Sequence, residues 1–330
     1  MANTTLTQVP AGIAAFYDKN LLMRAVPYFV HDKFGQAKSL PTKNSESVKF
    51  RRYSNLAAAT TPLTEGVTPS GSQLAVTDIT AKVVQYGDFV TLTDKIAMHV
   101  EDNVVMEATD ILGDQAGLTL DTVWRDAIVP NIANAKIYTV AGAATTEAAL
   151  VAADIITGAT LDKAILTLKK NLAKKFTGVI SGSTAVGTSP IRAAYMSIVH
   201  PDVVYDLEGV TGYKNVSEYA SQGDVQEGEV GSYKDVRFIE STQGYINTDG
   251  GASAVDTYHT PIFGKEGYGI VSLRGKGKFE TFVKPLGSAG TADPIDQRST
   301  VGWKASTVAK VLNDAFMCSV ISASSVGTNV

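Results

Sequence analysis

Residues 93–129 carry apolar side chains at close to 3.6-residue spacing. One row runs through Val104, Ala108, Ile111, Leu118, Val123 and Ala127, with Gln115 as its polar break. A second row, Val105, Leu112, Leu120, Trp124 and Ile128, lies beside it. The rows merge into one wide stripe, the mark of an amphipathic helix. Thr93 and Asp94 supply capping side chains, Pro130 stops the helix, and Gly113 and Gly117 permit a bend. At 1.5 Å per residue it runs to roughly 45–55 Å. A helix of that length needs a long partner surface, or it acts as a strut; the plainer alternative is the longest helix of an ordinary α+β protein.

Ahead of the strut the pattern changes to period two. Residues 46–53 read as a strand, with Val48 and Phe50 on one face and Lys49, Arg51 and Tyr53 on the other. Ala57–Gln73 is rich in Ala, Thr, Pro, Gly and Ser and reads as a loop. A strand returns at Asp78–Tyr86, Gly87-Asp88 reads as a turn, and Phe89–Thr93 leads into the helix. Residues 46–92 thus form a long two-stranded ribbon, which is marginal in water by itself. Residues 1–45 read as an arm. It holds a short amphipathic helix within Ala14–Pro27, an apolar run Phe29–Phe34 and a polar stretch Gly35–Ser45, so it must lie on its own body or on a neighbour.

Beyond Pro130, Thr160–Lys175 reads as a second helix with Leu161, Ala164, Ile165, Leu168 and Leu172 as its buried stripe. Lys169, Lys170, Lys174 and Lys175 crowd its C-terminal end, where cations favour the helix dipole. Strands are expected at Ala194–Val199, Asp235–Ser241, Tyr258–Phe263, Tyr268–Leu273 and Lys278–Lys284. A short helix, Asp202–Glu208, opens at Pro201 and ends at Gly209, and residues 209–232 read as polar and Gly-rich. Thr300–Leu312 and Ala315–Ala323 read as a hairpin turning at Asn313-Asp314, with Val301, Trp303, Ala305, Thr307, Ala309 and Val311 on one face. The fold class is α+β.

Composition adds little that competes with assembly. The 330 residues are 44% apolar and 19% charged, with net charge −4, so no basic excess marks a nucleic-acid binder. No signal peptide is expected, and no apolar run approaches a membrane span. Cys318 is the single cysteine, and His31, His99, His200 and His259 are scattered without a metal-binding pair. No GxSxG elbow occurs, Gly275-Lys276-Gly277 lacks the rest of a phosphate loop, and the paired carboxylates Glu227 and Glu229 look solvated. No catalytic residue, cofactor or metal site is expected.

The order of arm, ribbon, strut, mixed body and returning strands resembles the tailed-bacteriophage major capsid protein of the Hong Kong 97-type fold. Particular stretches look like its podovirus-like branch. They are Leu63-Thr64-Glu65-Gly66, Ile198-Val199-His200-Pro201-Asp202, Tyr233-Lys234-Asp235-Val236-Arg237-Phe238-Ile239-Glu240-Ser241, Phe263-Gly264-Lys265-Glu266-Gly267-Tyr268-Gly269, and Asp293-Pro294-Ile295-Asp296-Gln297-Arg298 leading to Val301-Gly302-Trp303-Lys304. The resemblance implies an N-terminal arm at 1–45, an E-loop at 46–92, and the spine helix with the first part of a peripheral domain at 93–177. An axial domain follows at 178–262, and strands returning to both domains at 263–330.

It further implies a structural subunit of an icosahedral phage head, made in the host cytoplasm and located in the virion. Self-association into hexamers and pentamers would enclose double-stranded DNA, held by weak non-specific contact. A portal protein and possible scaffolding and cement or decoration proteins would be partners, without a membrane. No cross-linking motif carries over. Arg51, Arg52, Glu65 and Lys82 on the ribbon are the candidates for inter-subunit ion pairs, against the alternative that they are merely solvated. The rival functions are an encapsulin-like compartment shell, a phage decoration or tail protein, and an α+β enzyme or ligand-binding protein.

Overall fold

A computed structural model describes residues 29–40, 46–53, 56–63, 65–66, 68, 71–95, 104–133, 136–138, 146–176, 193–219, 225–273, 280–288 and 294–326. The short arm helix expected within residues 14–27 lies outside them. In chain order the first elements are β1 (Gln36–Leu40), β2 (Ser47–Tyr53), β3 (Val76–Lys82), β4 (Val84–Thr93), α1 (Val104–Ile128) and β5 (Lys136–Tyr138). They are followed by α2 (Gly158–Lys170), β6 (Tyr195–Val199), α3 (Pro201–Glu208), β7 (Tyr213–Asn215), β8 (Glu229–Tyr233), β9 (Val236–Glu240) and β10 (Tyr245–Asn247). The chain closes with β11 (Thr257–Phe263), β12 (Tyr268–Leu273), β13 (Glu280–Lys284), β14 (Arg298–Val311) and β15 (Met317–Ser322).

Over Val104–Ile128 the helix α1 forms where the apolar spacing places it; residues 96–103 of the expected helix lie outside the described residues, and Thr93, expected to cap it, ends β4 opposite Arg298. Its buried face is not the one the two rows suggest. Leu112, Leu120, Trp124 and Ile128 are buried together with Ala108, Gly113, Ala116 and Gly117, whereas Ile111 is 64% exposed and Leu118 is exposed too. The small residues carry the contact. Without bulk on that strip, the helix backbone can approach the sheet it lies on. The large residues beside the strip then fill the flanks, each worth about 1.5–3 kcal/mol when fully buried. The partner is β14, whose alternation puts Val301, Trp303, Ala305, Thr307 and Ala309 on the face toward α1. Trp124 Nε1 donates to Thr307 Oγ1 at 2.9 Å, which satisfies the buried indole.

β14 is also the axis of a five-stranded sheet. Its N-terminal half pairs with β13, its C-terminal half with β12, and its opposite edge with β4 along ten residues; β1 adds to β12 in parallel. Three expectations change here. First, β4 continues straight through Gly87 and Asp88 instead of turning. A Cβ on Gly87 would lie 2.5 Å from the Trp303 carbonyl oxygen, so glycine permits the close pairing of the two strands. Secondly, the strand expected at 78–86 is two strands, broken at Val83, which go to different sheets. Thirdly, β14 and β15 are not a hairpin. After β14 the chain passes a 3-10 turn at Asp314–Phe316, and β15 joins the other sheet.

That second sheet has eight strands in the order β5-β15-β11-β6-β9-β8-β7, with β10 on β11. α2 and α3 help form its core, in which Leu161, Ala164, Ile165, Leu168, Val203 and Leu207 pack with Tyr195, Phe238 and Ile262. α2 ends at Lys170, earlier than expected. Leu172 takes a left-handed backbone and is 75% exposed, so it does not continue the stripe. The segment expected to be polar and irregular, 209–232, contributes β7 and β8. Within it Glu229 is buried against Arg237 of β9.

Part of the presumed arm is core. Phe29, Val30 and Phe34 sit among Leu120, Trp124, Phe263 and Tyr268, and β1 lengthens the five-stranded sheet. Asp121 holds the segment down. Its Oδ1 accepts the Val30 and His31 amides at 3.0 Å each, and its Oδ2 meets His31 Nδ1 at 2.8 Å.

Candidate assembly surfaces

The ribbon β2–β3 is a two-stranded sheet of its own, in register from Ser47 opposite Lys82 to Tyr53 opposite Val76. Its period-two pattern buries one end only. Val48, Phe50 and Ala81 pack on Leu40, Val271 and Leu312, which seats the base of the ribbon on the body. Toward the tip the apolar side chains lose their cover. Tyr53, Leu56, Leu74 and Val76 are exposed, and Leu63 is 78% exposed. A row of large apolar groups left in water at the end of a projecting element is the signature of a surface completed by another chain.

Three of the four candidate ion-pair residues have partners within the chain. Arg51 Nε donates to Asp78 Oδ1 at 3.0 Å, directly across the ribbon. That hydrogen bond raises the guanidinium pKa and lowers that of the carboxyl. Both groups are solvent-exposed, so the pair contributes little to stability. Lys82 Nζ lies 3.1 Å from Glu46 Oε2, and Arg52 Nη1 donates to Asn313 Oδ1, tying the ribbon to the loop after β14. Glu65, in the turn at the tip, is exposed and has no ion-pair partner among the described residues. Between ribbon and body runs a groove lined by Lys38, Lys49, Arg51, Arg52, Lys174 and Glu266.

A second exposed apolar area lies on the outer face of the five-stranded sheet, away from α1. Phe89 of β4 and Phe282 of β13 both stand opposite Gly302 of β14. They are 66% and 47% exposed.

The lysines at the end of α2 are used in ion pairs. Lys169 and Lys175 both reach Asp235, at 2.5 and 3.1 Å, and Lys174 reaches Glu266 at 3.3 Å. Buried polar clusters likewise serve the fold. Glu147 joins the loop before α2 to the second sheet through Asn247, Thr257 and His259. Burial opposes its charge, but those hydrogen bonds prevail and hold its pKa at about 2. Burial pushes the Cys318 thiol up to about 12, which makes it a poor nucleophile. Among the described residues no group of three or more His, Cys, Asp or Glu side chains could hold a metal, and no helix is long and apolar enough to cross a membrane. Sequence spacing could not disclose the Asp121–His31 and Glu229–Arg237 pairs, because no local pattern links their members.

Comparison with known proteins decides the family. The family described as phage capsid protein matches residues 76–319, well over half of the chain. The chain belongs to the phage capsid protein family. Its fold is the Hong Kong 97 type. The capsid of Ralstonia phage GP4 superposes with a TM-score of 0.71 at 12% identity, over 92% of each chain. The cyanophage Pam1 capsid gives 0.62 at 17% identity, over 92% of this chain and 93% of that one. An encapsulin complex from Synechococcus elongatus, SrpI, shares the fold more distantly, with 0.56 at 8% identity over 100% and 95%. No curated protein matches the chain significantly. As a phage capsid protein it is a structural component of the virion, and its copies assemble into a shell.

Proposed function

We propose that the capsid protein forms hexamers and pentamers of an icosahedral head that encloses double-stranded DNA. The observation that carries this reading is the ribbon, whose base is seated on its own body while its apolar tip stands in water. On this reading residues 46–92 are the E-loop, α1 is the spine helix, and residues 93–177 and 178–262 begin the peripheral and axial domains. Heterologous contacts repeated around symmetry axes close such a shell, and many weak contacts add up because they form together. The net charge of −4 suits a wall that holds DNA loosely. Assembly takes place in the host cytoplasm, with a portal protein and separate scaffolding or cement proteins as partners. Arg51, Arg52, Glu65 and Lys82 are retained as inter-subunit candidates, with Glu65 the freest to pair. Electron microscopy of the purified protein tests the reading: closed particles support it, and a small discrete oligomer refutes it.

A further inference from the structure

His259 Nδ1 and Ser319 Oγ are shut off from solvent, and neither makes a hydrogen bond among the described residues. His259 is 6% exposed and Ser319 0%. Buried polar groups in folded proteins are paired with protein or with ordered water in the great majority of cases, so two bare atoms point to a common partner.

The strand register brings them to one place. His259 of β11 stands opposite Ile321 of β15, and Pro261 stands opposite Ser319. Side chains alternate along a strand, so these four share one face. Phe263 and Met317 share it as well, and they belong to the core around Ile128 and Ile132 at the end of α1. Bulk water has no access there.

The ring is oriented from its other nitrogen. His259 Nε2 meets Glu147 Oε1 at 2.8 Å, and the same oxygen accepts Asn247 Nδ2 of β10 at 2.9 Å and the Thr257 hydroxyl. β10 and β15 both pair with Tyr258 and His259, so they flank β11 on opposite sides. With Nε2 turned to the β10 side, Nδ1 on the other flank of the ring faces β15. Ser319 is the diagonal neighbour there. Such neighbours have Cβ atoms somewhat less than about 7–8 Å apart. The ring and the hydroxyl reach into that span from either end. They leave a gap too wide for direct contact, but one that two hydrogen bonds of about 2.8–3.0 Å can bridge.

We propose that β11 and β15 hold one resident water molecule, bonded to His259 Nδ1 and Ser319 Oγ. Two to four polar partners are what a buried water requires, and a serine hydroxyl can donate or accept to suit it. The water extends the Glu147 cluster to β15. The loop before α2, β10, β11 and the last strand are then joined by one hydrogen-bonded chain.

The direct test is a structure of the unmodified protein at a resolution that shows ordered waters. Density for a water between His259 Nδ1 and Ser319 Oγ is expected. An empty gap, or a direct contact between the two atoms, overturns the proposal. A double-mutant cycle gives a second reading, from urea unfolding of the dissociated subunit. Ser319→Ala is expected to raise the unfolding constant about 3–10-fold in the ordinary chain, and less than about 2-fold in a His259→Phe background. Loss of the bond to Glu147 occurs on both sides of the cycle and cancels. Ser322→Ala is the control. It lies on the same strand and is equally buried, but it sits on the opposite face, beside Tyr258, so its effect should be the same in both backgrounds. Equal effects of Ser319→Ala in the two backgrounds overturn the bridge.

Discussion

The carboxylate of Asp121 should decide whether residues 29–34 stay on the body. It is fully buried on α1 and accepts two backbone amides and the His31 imidazole, with no solvent to replace them. Replacing it with alanine strands the Val30 and His31 amides and the ring nitrogen. A buried donor left unsatisfied costs about 1–3 kcal/mol, and removing one member of a buried pair costs about 3–5 kcal/mol. The groups share one carboxylate, so the costs do not add in full, and about 3–5 kcal/mol is expected for Asp121→Ala. At about 2–4 °C per kcal/mol for a domain of this order, Tm falls by roughly 6–20 °C. Asp121→Asn keeps an oxygen for the two amides and loses only the charge and the bond to the ring, so about 1–2 kcal/mol is expected. Urea unfolding of the dissociated subunit followed by tryptophan fluorescence is the assay, because the Trp124 ring lies 5.4 Å from that of Phe29 and reports directly on the docked segment. A loss below about 1 kcal/mol for Asp121→Ala, or equal losses for both variants, would refute the clamp.

Other consequences can be checked alongside it. Gly87→Ala drives a Cβ into the Trp303 carbonyl and should destabilise the subunit by about 1–3 kcal/mol, seen as a lower urea midpoint. Trp124→Phe keeps most of the packing but leaves Thr307 without the indole donor, and should cost about 1–2 kcal/mol by the same assay. The Glu147 carboxyl is held at about 2 from an ordinary value of 4.5. It therefore contributes stability that is complete above pH 4.5 and is lost as pH falls through 2. Glu147→Gln should flatten that part of the Tm-against-pH curve, and an unchanged curve would show that the cluster does not carry the effect.

Much of the architecture was legible because it rests on local period. The ribbon strand 46–53, the turn into α3 at Pro201 and the strand Tyr268–Leu273 each follow from alternation or capping within a few residues. What periodicity cannot say is which sheet a strand joins. β14 and β15 look like a hairpin from their turn residues, yet the Gly267 carbonyl accepts the Leu312 and Asn313 amides and the chain leaves for the second sheet. Hydrophobic counting also passes over glycine: Gly113 and Gly117 of α1, expected to permit a bend, are part of the buried contact face, and Ile111 of the apolar row faces out. β7 and β8 were hidden by polar composition, because Glu229 is buried only by virtue of Arg237 eight residues on. At the assembly surfaces, the exposed ribbon was readable from its turn-rich tip. The Phe89–Gly302–Phe282 row was not, since Phe89 comes from a segment about 200 residues before the other two.

Limited proteolysis of the ribbon, compared between free subunit and assembled particle, tests the central claim most directly. If sister copies cover the tip, a protease that cuts between Tyr53 and Val76 in the free subunit leaves the same bonds intact in particles. Equal cutting rates in the two states would mean that the tip remains in water after assembly, which contradicts the account.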